Sequence, residues 1–126
     1  MAKYAFSAAD AAAPVGPYSP AVALGGMVFL SGQIPVDAGG DVVGDTAPEQ
    51  ARRAMENMTA LVRTTGLGMA DVVKTTIFLT DIADFAAVNE VYAEFFEPPY
   101  PARSTVQVAA LPKGVKVEIE ALAIRS

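Results

Sequence analysis

The sequence contains neither cysteine nor histidine. That double absence removes disulfides, thiolate nucleophiles, imidazole bases and every Ser-His-Asp constellation at once. Zinc sites built on Cys or His go with them. Any catalysis therefore falls to carboxylates, Arg, Lys, Tyr, hydroxyls, main-chain groups or a bound cofactor. Basic residues are scarce too: nine Lys and Arg against fourteen Asp and Glu leave a net charge of −5, with a pI of about 4.5. Nucleic-acid binding rests on basic contacts to phosphates, and no basic run exceeds Arg52-Arg53, so no nucleic-acid partner is expected. The glycines lack phosphate-loop spacing. Long apolar runs are also missing. The longest, from Ala21 to Leu30, is interrupted by Gly25-Gly26 and falls well short of the roughly 20 residues that cross a bilayer. The first ten residues show no continuous apolar segment of signal-peptide type. A soluble, cytoplasmic protein without a membrane partner is the expectation.

What the chain has in excess is apolar surface. Its 126 residues suit a single domain spanning 1–126. Yet 52% of them are hydrophobic, and the mean hydropathy is +0.35. A domain this small has a high surface-to-volume ratio and cannot bury all of that alone. Another copy of the chain is expected to cover part of it.

Residues 3–6 read as a short edge strand, and residues 11–20 as a loop punctuated by Pro14, Pro17 and Pro20. Gly25-Gly26 between the apolar runs 21–24 and 27–31 marks a hairpin. Thr46 with Glu49 three residues on has the pattern of a capping box, and Pro48 is tolerated in a first turn. Ala51, Ala54, Met55, Met58, Leu61 and Val62 then form a helical stripe, closed by Gly66. Residues 72–79, β-branched and aromatic, predict a strand. Asp81 is the expected cap of a second helix with a stripe at Phe85, Val88, Tyr92, Phe95 and Phe96, stopped by Pro98-Pro99. Strands over 103–110 and 115–124, joined through Leu111-Pro112-Lys113-Gly114, complete an α+β order. Two helices can cover one face of such a sheet. The last strand alternates Val117, Ile119 and Ala121 with Glu118, Glu120 and Leu122, so the other face also calls for protection.

Arg103 enters a predicted strand just after Pro101. A guanidinium there can grip a carboxylate with two parallel hydrogen bonds, or it can pair with one of the acids of this chain. Glu118 and Glu120 lie two apart on a strand and project from one face. Either can orient or deprotonate water, or pair with Lys74, Lys116 or Arg125. Tyr18 in Gly-Pro-Tyr-Ser-Pro is a lid or a packing residue. Gly32 in Ser31-Gly32-Gln33 permits close approach to a ligand or merely makes a turn. Asn89 falls among solvent-side positions of the second helix, and Tyr92, Met55 and Met58 among core positions.

Six segments taken in order resemble the RidA/YjgF family of reactive-intermediate deaminases. They are Gly16-Pro17-Tyr18-Ser19, Ser31-Gly32-Gln33-Ile34-Pro35, Asn57-Met58, Asp84-Phe85-Ala86-Ala87-Val88-Asn89, Pro101-Ala102-Arg103-Ser104 and Val117-Glu118-Ile119-Glu120-Ala121. The resemblance implies a chorismate-mutase-like fold, a six-stranded mixed sheet with two helices on one face. It further implies a homotrimer with a central barrel and active sites between subunits. The implied reaction is hydrolysis of 2-aminoacrylate, 2-iminopropionate and similar 2-imino acids to 2-keto acids and ammonia, without metal or organic cofactor. By position Arg103 matches the carboxylate-binding arginine and Glu118 the water-positioning glutamate. Tyr18, Ser31 and Asn89 match cleft residues, and Gly32 and Thr105 contribute main-chain contacts. Two departures stand out: Thr105 occupies a position often held by Cys, and the loop 97–100 is short.

Other functions share this pattern. A pathway-specific enamine deaminase would look similar. So would a non-enzymatic small-ligand binder or holdase of the same fold, although a purely binding role leaves Arg103 and Glu118 without a task. RNA cleavage fits poorly with an acidic chain that has no histidine.

Overall fold

The computed structural model describes residues 2–9 and 11–126. Six strands and two α-helices follow one another as β1 (Tyr4–Phe6), β2 (Ala21–Leu24), β3 (Met27–Gln33), α1 (Ala47–Thr64), β4 (Val72–Leu79), α2 (Phe85–Ala93), β5 (Ala102–Gln107) and β6 (Val117–Ile124). The strands form a single mixed sheet in the order β1-β2-β3-β6-β4-β5. Every pairing is antiparallel except β4 with β5. Because β6 runs antiparallel to both β3 and β4, those two strands are parallel, and α1 crosses between them. In the same way α2 links β4 to its parallel neighbour β5. Crossovers of one hand place both helices on one face of the sheet.

The capping box forms at Thr46: its hydroxyl accepts the Glu49 amide at 3.3 Å, and the Glu49 carboxylate accepts the Thr46 amide at 3.0 Å. Ala51, Ala54, Met55, Met58, Leu61 and Val62 then turn a buried stripe towards the sheet. Opposite them lie Val28 and Leu30 of β3, Ile77 and Leu79 of β4, and Val117, Ile119, Ala121 and Ala123 of β6. Two polar side chains pin loops to this layer. Gln50 donates to the Gly44 carbonyl at 3.0 Å and accepts from the Lys116 amide at 2.7 Å. Asn57 donates to the carbonyls of Ile34 and Val36, both at 3.0 Å, and so holds the chain leaving β3.

The face away from the helices is uncovered. Met27, Phe29, Val106 and Ile124 are exposed, 49% in the case of Phe29, and Phe78 and Leu122 are half-buried beside them. The alternation of β6 already required such a face.

Several expected boundaries move. The second hairpin strand continues past residue 31 to Gln33, because a β-bulge between Leu30 and Gln33 lets it pair further with Ile119. Asp81 caps a 3-10 turn over Ile82–Asp84, accepting from the Ala83 amide at 2.9 Å, and α2 begins only at Phe85. Phe95 and Phe96 pack on the core from beyond the helix end rather than from its stripe. The last two strands are shorter than expected, since pairing with β4 ends at Gln107 and begins at Val117.

Candidate active site

Among the described residues β5 is an edge strand paired with β4 alone. In that parallel ladder Arg103 stands opposite Thr75, and neighbours in register share a face. Thr75 is buried and shares a hydrogen bond of 2.6 Å with the Tyr92 hydroxyl of α2. Arg103 is therefore turned to the helix layer. Its guanidinium carbon lies 5.0 Å from the ring centre of Tyr92 and 5.5 Å from that of Phe85. Among the described residues the one ion pair joins Arg52 to Glu94. Arg103 has no acidic partner among them, so the structural ion pair allowed by its sequence is not formed there. Burial pushes the Tyr92 phenol up, which keeps it neutral beside the guanidinium.

Arg103 lines a cavity of about 450 Å³ together with Asn89, Tyr92, Ala93, Tyr100 and Pro101. Asn89, which spacing alone puts among solvent-side positions, is half-buried on the wall of this cavity. It lies four residues after Phe85 and three before Tyr92, the spacing that puts all three on one helix face. The stripe of α2 faces Arg103 as much as it faces the core. The short loop that carries Tyr100 forms the outer wall.

Glu118 belongs to the opposite side of the sheet. It alternates with the core residues Val117 and Ile119, and its register partner is Phe78. The carboxyl is half-buried, and burial, with the nearby charge of Glu120, pushes its pKa up. Among the described residues none of the cations considered for it, Lys74, Lys116 and Arg125, forms an ion pair with it; Lys74 donates to the Thr75 carbonyl and the Ser104 hydroxyl, and Arg125 to the Thr65 carbonyl. Gly32 settles the question left open by its sequence. A Cβ built there would lie 2.7 Å from Cδ and 3.0 Å from Cγ of Glu118, and closer still to Oε2. The glycine is a seat for the carboxyl rather than a turn.

Ser31 uses its hydroxyl and its amide, both at 2.8 Å, to bind the carbonyls of Ser19 and Pro20. It thereby ties the loop bearing Tyr18, which is 54% exposed, to the Gly32 side of the sheet. A cavity of about 320 Å³ opens next to it, lined by Ser19, Phe29, Ser31, Lys74, Thr76 and Glu120 among others. Thr105 sits two residues beyond Arg103 on β5 and hence on the same face. Its hydroxyl is buried without a hydrogen-bond partner, so what it offers outward is main chain on the free edge of the sheet.

Two half-sites result. Arg103 and Asn89 occupy the helix side, whereas Glu118, Gly32 and Ser31 occupy the open side. Arg103 and Glu118 lie on opposite faces of the sheet within one copy. Phe85, Tyr92 and Asn57 support these halves and had no functional role in the sequence reading; the i, i+4, i+7 spacing of Phe85, Asn89 and Tyr92 was the available signal for the first two. Among the described residues no three acidic side chains gather as metal ligands, and no helix is long and apolar enough to cross a membrane.

The family model described as Endoribonuclease L-PSP matches residues 8–125. A 2-iminobutanoate/2-iminopropanoate deaminase of Salmonella typhimurium is 50% identical over 119 residues, covering 92% of this chain and 93% of its own. Among solved structures, E. coli TdcF with bound serine is similar at a TM-score of 0.91 and 49% identity, covering 98% of this chain and 99% of that one. RidA from an Antarctic Psychrobacter gives a TM-score of 0.92 at 41% identity, over 97% and 99% of the two chains.

Proposed function

The chain belongs to the RidA/YjgF family, and on that premise we propose how it deaminates reactive 2-imino acids and enamines to 2-keto acids and ammonia: in clefts shared by neighbouring copies. The observation that carries this reading is the division of the machinery. Among the described residues a guanidinium fork flanked by aromatic rings and a carboxyl of raised pKa stand on opposite sides of one sheet, and the uncovered face exposes Met27, Phe29, Val106 and Ile124. Assembly of a cytoplasmic homotrimer through those faces closes a barrel and brings Arg103 of one copy to Glu118 of the next.

The chemistry asks little of the side chains. Arg103 holds the substrate carboxylate through two parallel hydrogen bonds and so fixes the adjacent imine carbon. Glu118, ionised, takes a proton from a water that attacks that carbon. A C–O bond forms, the C=N π pair moves to nitrogen, and Glu118 returns the proton there, leaving a neutral carbinolamine and an ionised carboxylate. Collapse of the carbinolamine forms the C=O bond and breaks C–N. Glu118 takes the hydroxyl proton in this step and delivers it to the departing nitrogen, releasing ammonia and regenerating the carboxylate. A carboxyl whose pKa is raised by burial serves both as base and as acid in this cycle. Asn89, the Tyr18 loop and the main chain of Gly32 and Thr105 line the cleft. RNA cleavage, the reaction named in the description of the family model, gains no support from a chain with a net charge of −5 and no histidine.

The test is release of ammonia and keto acid from 2-imino acids generated in situ by an amino-acid oxidase. Wild type accelerates release; Arg103→Ala and Glu118→Gln each abolish it as intact oligomers. Arg103→Lys is nearly as poor, because a point charge cannot form the fork. Mixing the two inactive variants under subunit exchange restores part of the activity, since hybrid clefts pair an intact Arg103 with an intact Glu118. No acceleration by folded wild type refutes the reaction, and no recovery on mixing refutes the shared cleft.

A further inference from the structure

Phe85 is a large apolar side chain at the start of α2, 39% exposed and outside the core cluster. Core packing therefore does not account for it. What it touches does. Its ring centre is 5.5 Å from the Arg103 guanidinium carbon, and Tyr92, further along the same helix face, presents a second ring at 5.0 Å. Both distances lie inside the range in which a guanidinium is attracted by an aromatic face.

We propose that Phe85 is a positioning residue for the carboxylate anchor: with Tyr92 it holds the Arg103 guanidinium by aromatic contact and leaves the N–H fork free for the substrate. The inference rests on Arg103 acting as that anchor. Its physical basis is a choice between two ways of holding an arginine. A carboxylate neighbour would fix the guanidinium firmly but would occupy its donors and cancel its charge. Aromatic rings orient the same group while leaving both available. The chain has fourteen acids, and among the described residues none of them pairs with Arg103. The second solution keeps a cation ready for an anionic ligand. The two rings divide the labour. Tyr92 is buried and tied to Thr75 at 2.6 Å, so it belongs to the fold as well. Phe85 is partly outside and is the member that can be changed without opening the core.

The experiment compares wild type, Phe85→Leu and Phe85→Tyr. In the deaminase assay Phe85→Leu raises KM by about two- to fivefold with kcat nearly constant, the size expected for one exposed cation–π contact. Phe85→Tyr, which keeps the ring, restores KM. The Arg103 side-chain Nε–H resonance, shifted by the nearby rings in the wild type, moves back in Phe85→Leu and stays in Phe85→Tyr. Titration with the keto-acid product, followed at that resonance, gives the same loss of affinity for Phe85→Leu, about two- to fivefold. Unchanged KM and product affinity in a folded Phe85→Leu oligomer overturn the proposal, as does a tyrosine variant as poor as the leucine one. The titration needs no turnover. If wild type fails to deaminate, the reaction falls while the effect of Phe85 on carboxylate binding is still decided.

Discussion

Replacing Gly32 with alanine tests the seat of Glu118 without touching any side chain that does chemistry. The added Cβ would stand 2.7 Å from Cδ and 3.0 Å from Cγ of Glu118, the first of them a separation that atoms in folded proteins do not hold. Something must move, and the three nearest atoms all belong to the Glu118 side chain. The backbone of Gly32 carries no positive φ, so alanine is tolerated there on conformational grounds. The glutamate therefore rotates away while the strand stays in place. Its carboxyl is displaced by on the order of 1 Å or more, a misplacement that can lower turnover about a hundredfold. Because the carboxyl can move towards solvent, the melting temperature should change by no more than about 4 °C, the shift of roughly 1 kcal/mol in a small domain. The assay is kcat for imine hydrolysis, with thermal unfolding as the control. Combining the change with Glu118→Gln should add little, since both remove one function. Near-normal kcat in a folded Gly32→Ala protein would refute the idea that Glu118 acts from this seat. A collapse in stability would show instead that Gly32 is a strand requirement.

The raised pKa of Glu118 has a sign that can be read out. If the ionised carboxylate starts the reaction, the acidic limb of kcat/KM lies above the usual carboxylate range, and Glu120→Gln shifts it down by removing the neighbouring charge. The same shift means that the folded state binds more protons than the unfolded state between the ordinary and the raised pKa, so stability falls as pH rises through that window. Glu118→Gln should abolish this dependence and leave melting at neutral pH no lower than in wild type. Thr46→Ala, at the capping box of α1, should lower the melting temperature by about 4 °C with kcat unchanged, as expected for loss of one N-cap.

The elements that were legible in the sequence are those fixed by neighbours along the chain. Thr46 and Glu49 are three residues apart, so the start of α1 could be read directly, and the bounds of β4 agree at both ends because its run is dominated by β-branched and aromatic residues. The outer ends of β3, β5 and β6 are set by strands distant in sequence, and there the expectation drifted by two or three residues. The site divides in the same way. Arg103 and Glu118 stand out as candidates through the family motifs they match, and the alternation of β6 gives the face of Glu118. The face of Arg103 depends on its register with Thr75, which no local pattern contains. Gly32 could not be told from a turn glycine because the carboxyl it accommodates lies on the last strand. For Asn89 the spacing of α2 alone points to solvent and the family motif to the cleft; it lines the cavity beside Arg103 because one face of α2 serves both the core and that cavity.

The separation of Arg103 from Glu118 also gives the open apolar face a reason to persist. An exposed sheet face with Phe29 at 49% accessibility is a liability for a monomer. In the proposed assembly it becomes an asset, because the burial that would hold copies together would also align the two proposed half-sites. The overall charge of −5 does not oppose this arrangement at the point where it matters. Charges farther than about 8 Å are largely screened at physiological ionic strength, and the groups that flank the Arg103 guanidinium are rings rather than acids. An anionic substrate therefore meets a local cation on an acidic protein. The Glu118 carboxyl, the proposed water-positioning group, lies on the other side of the sheet, away from the Arg103 guanidinium of its own copy.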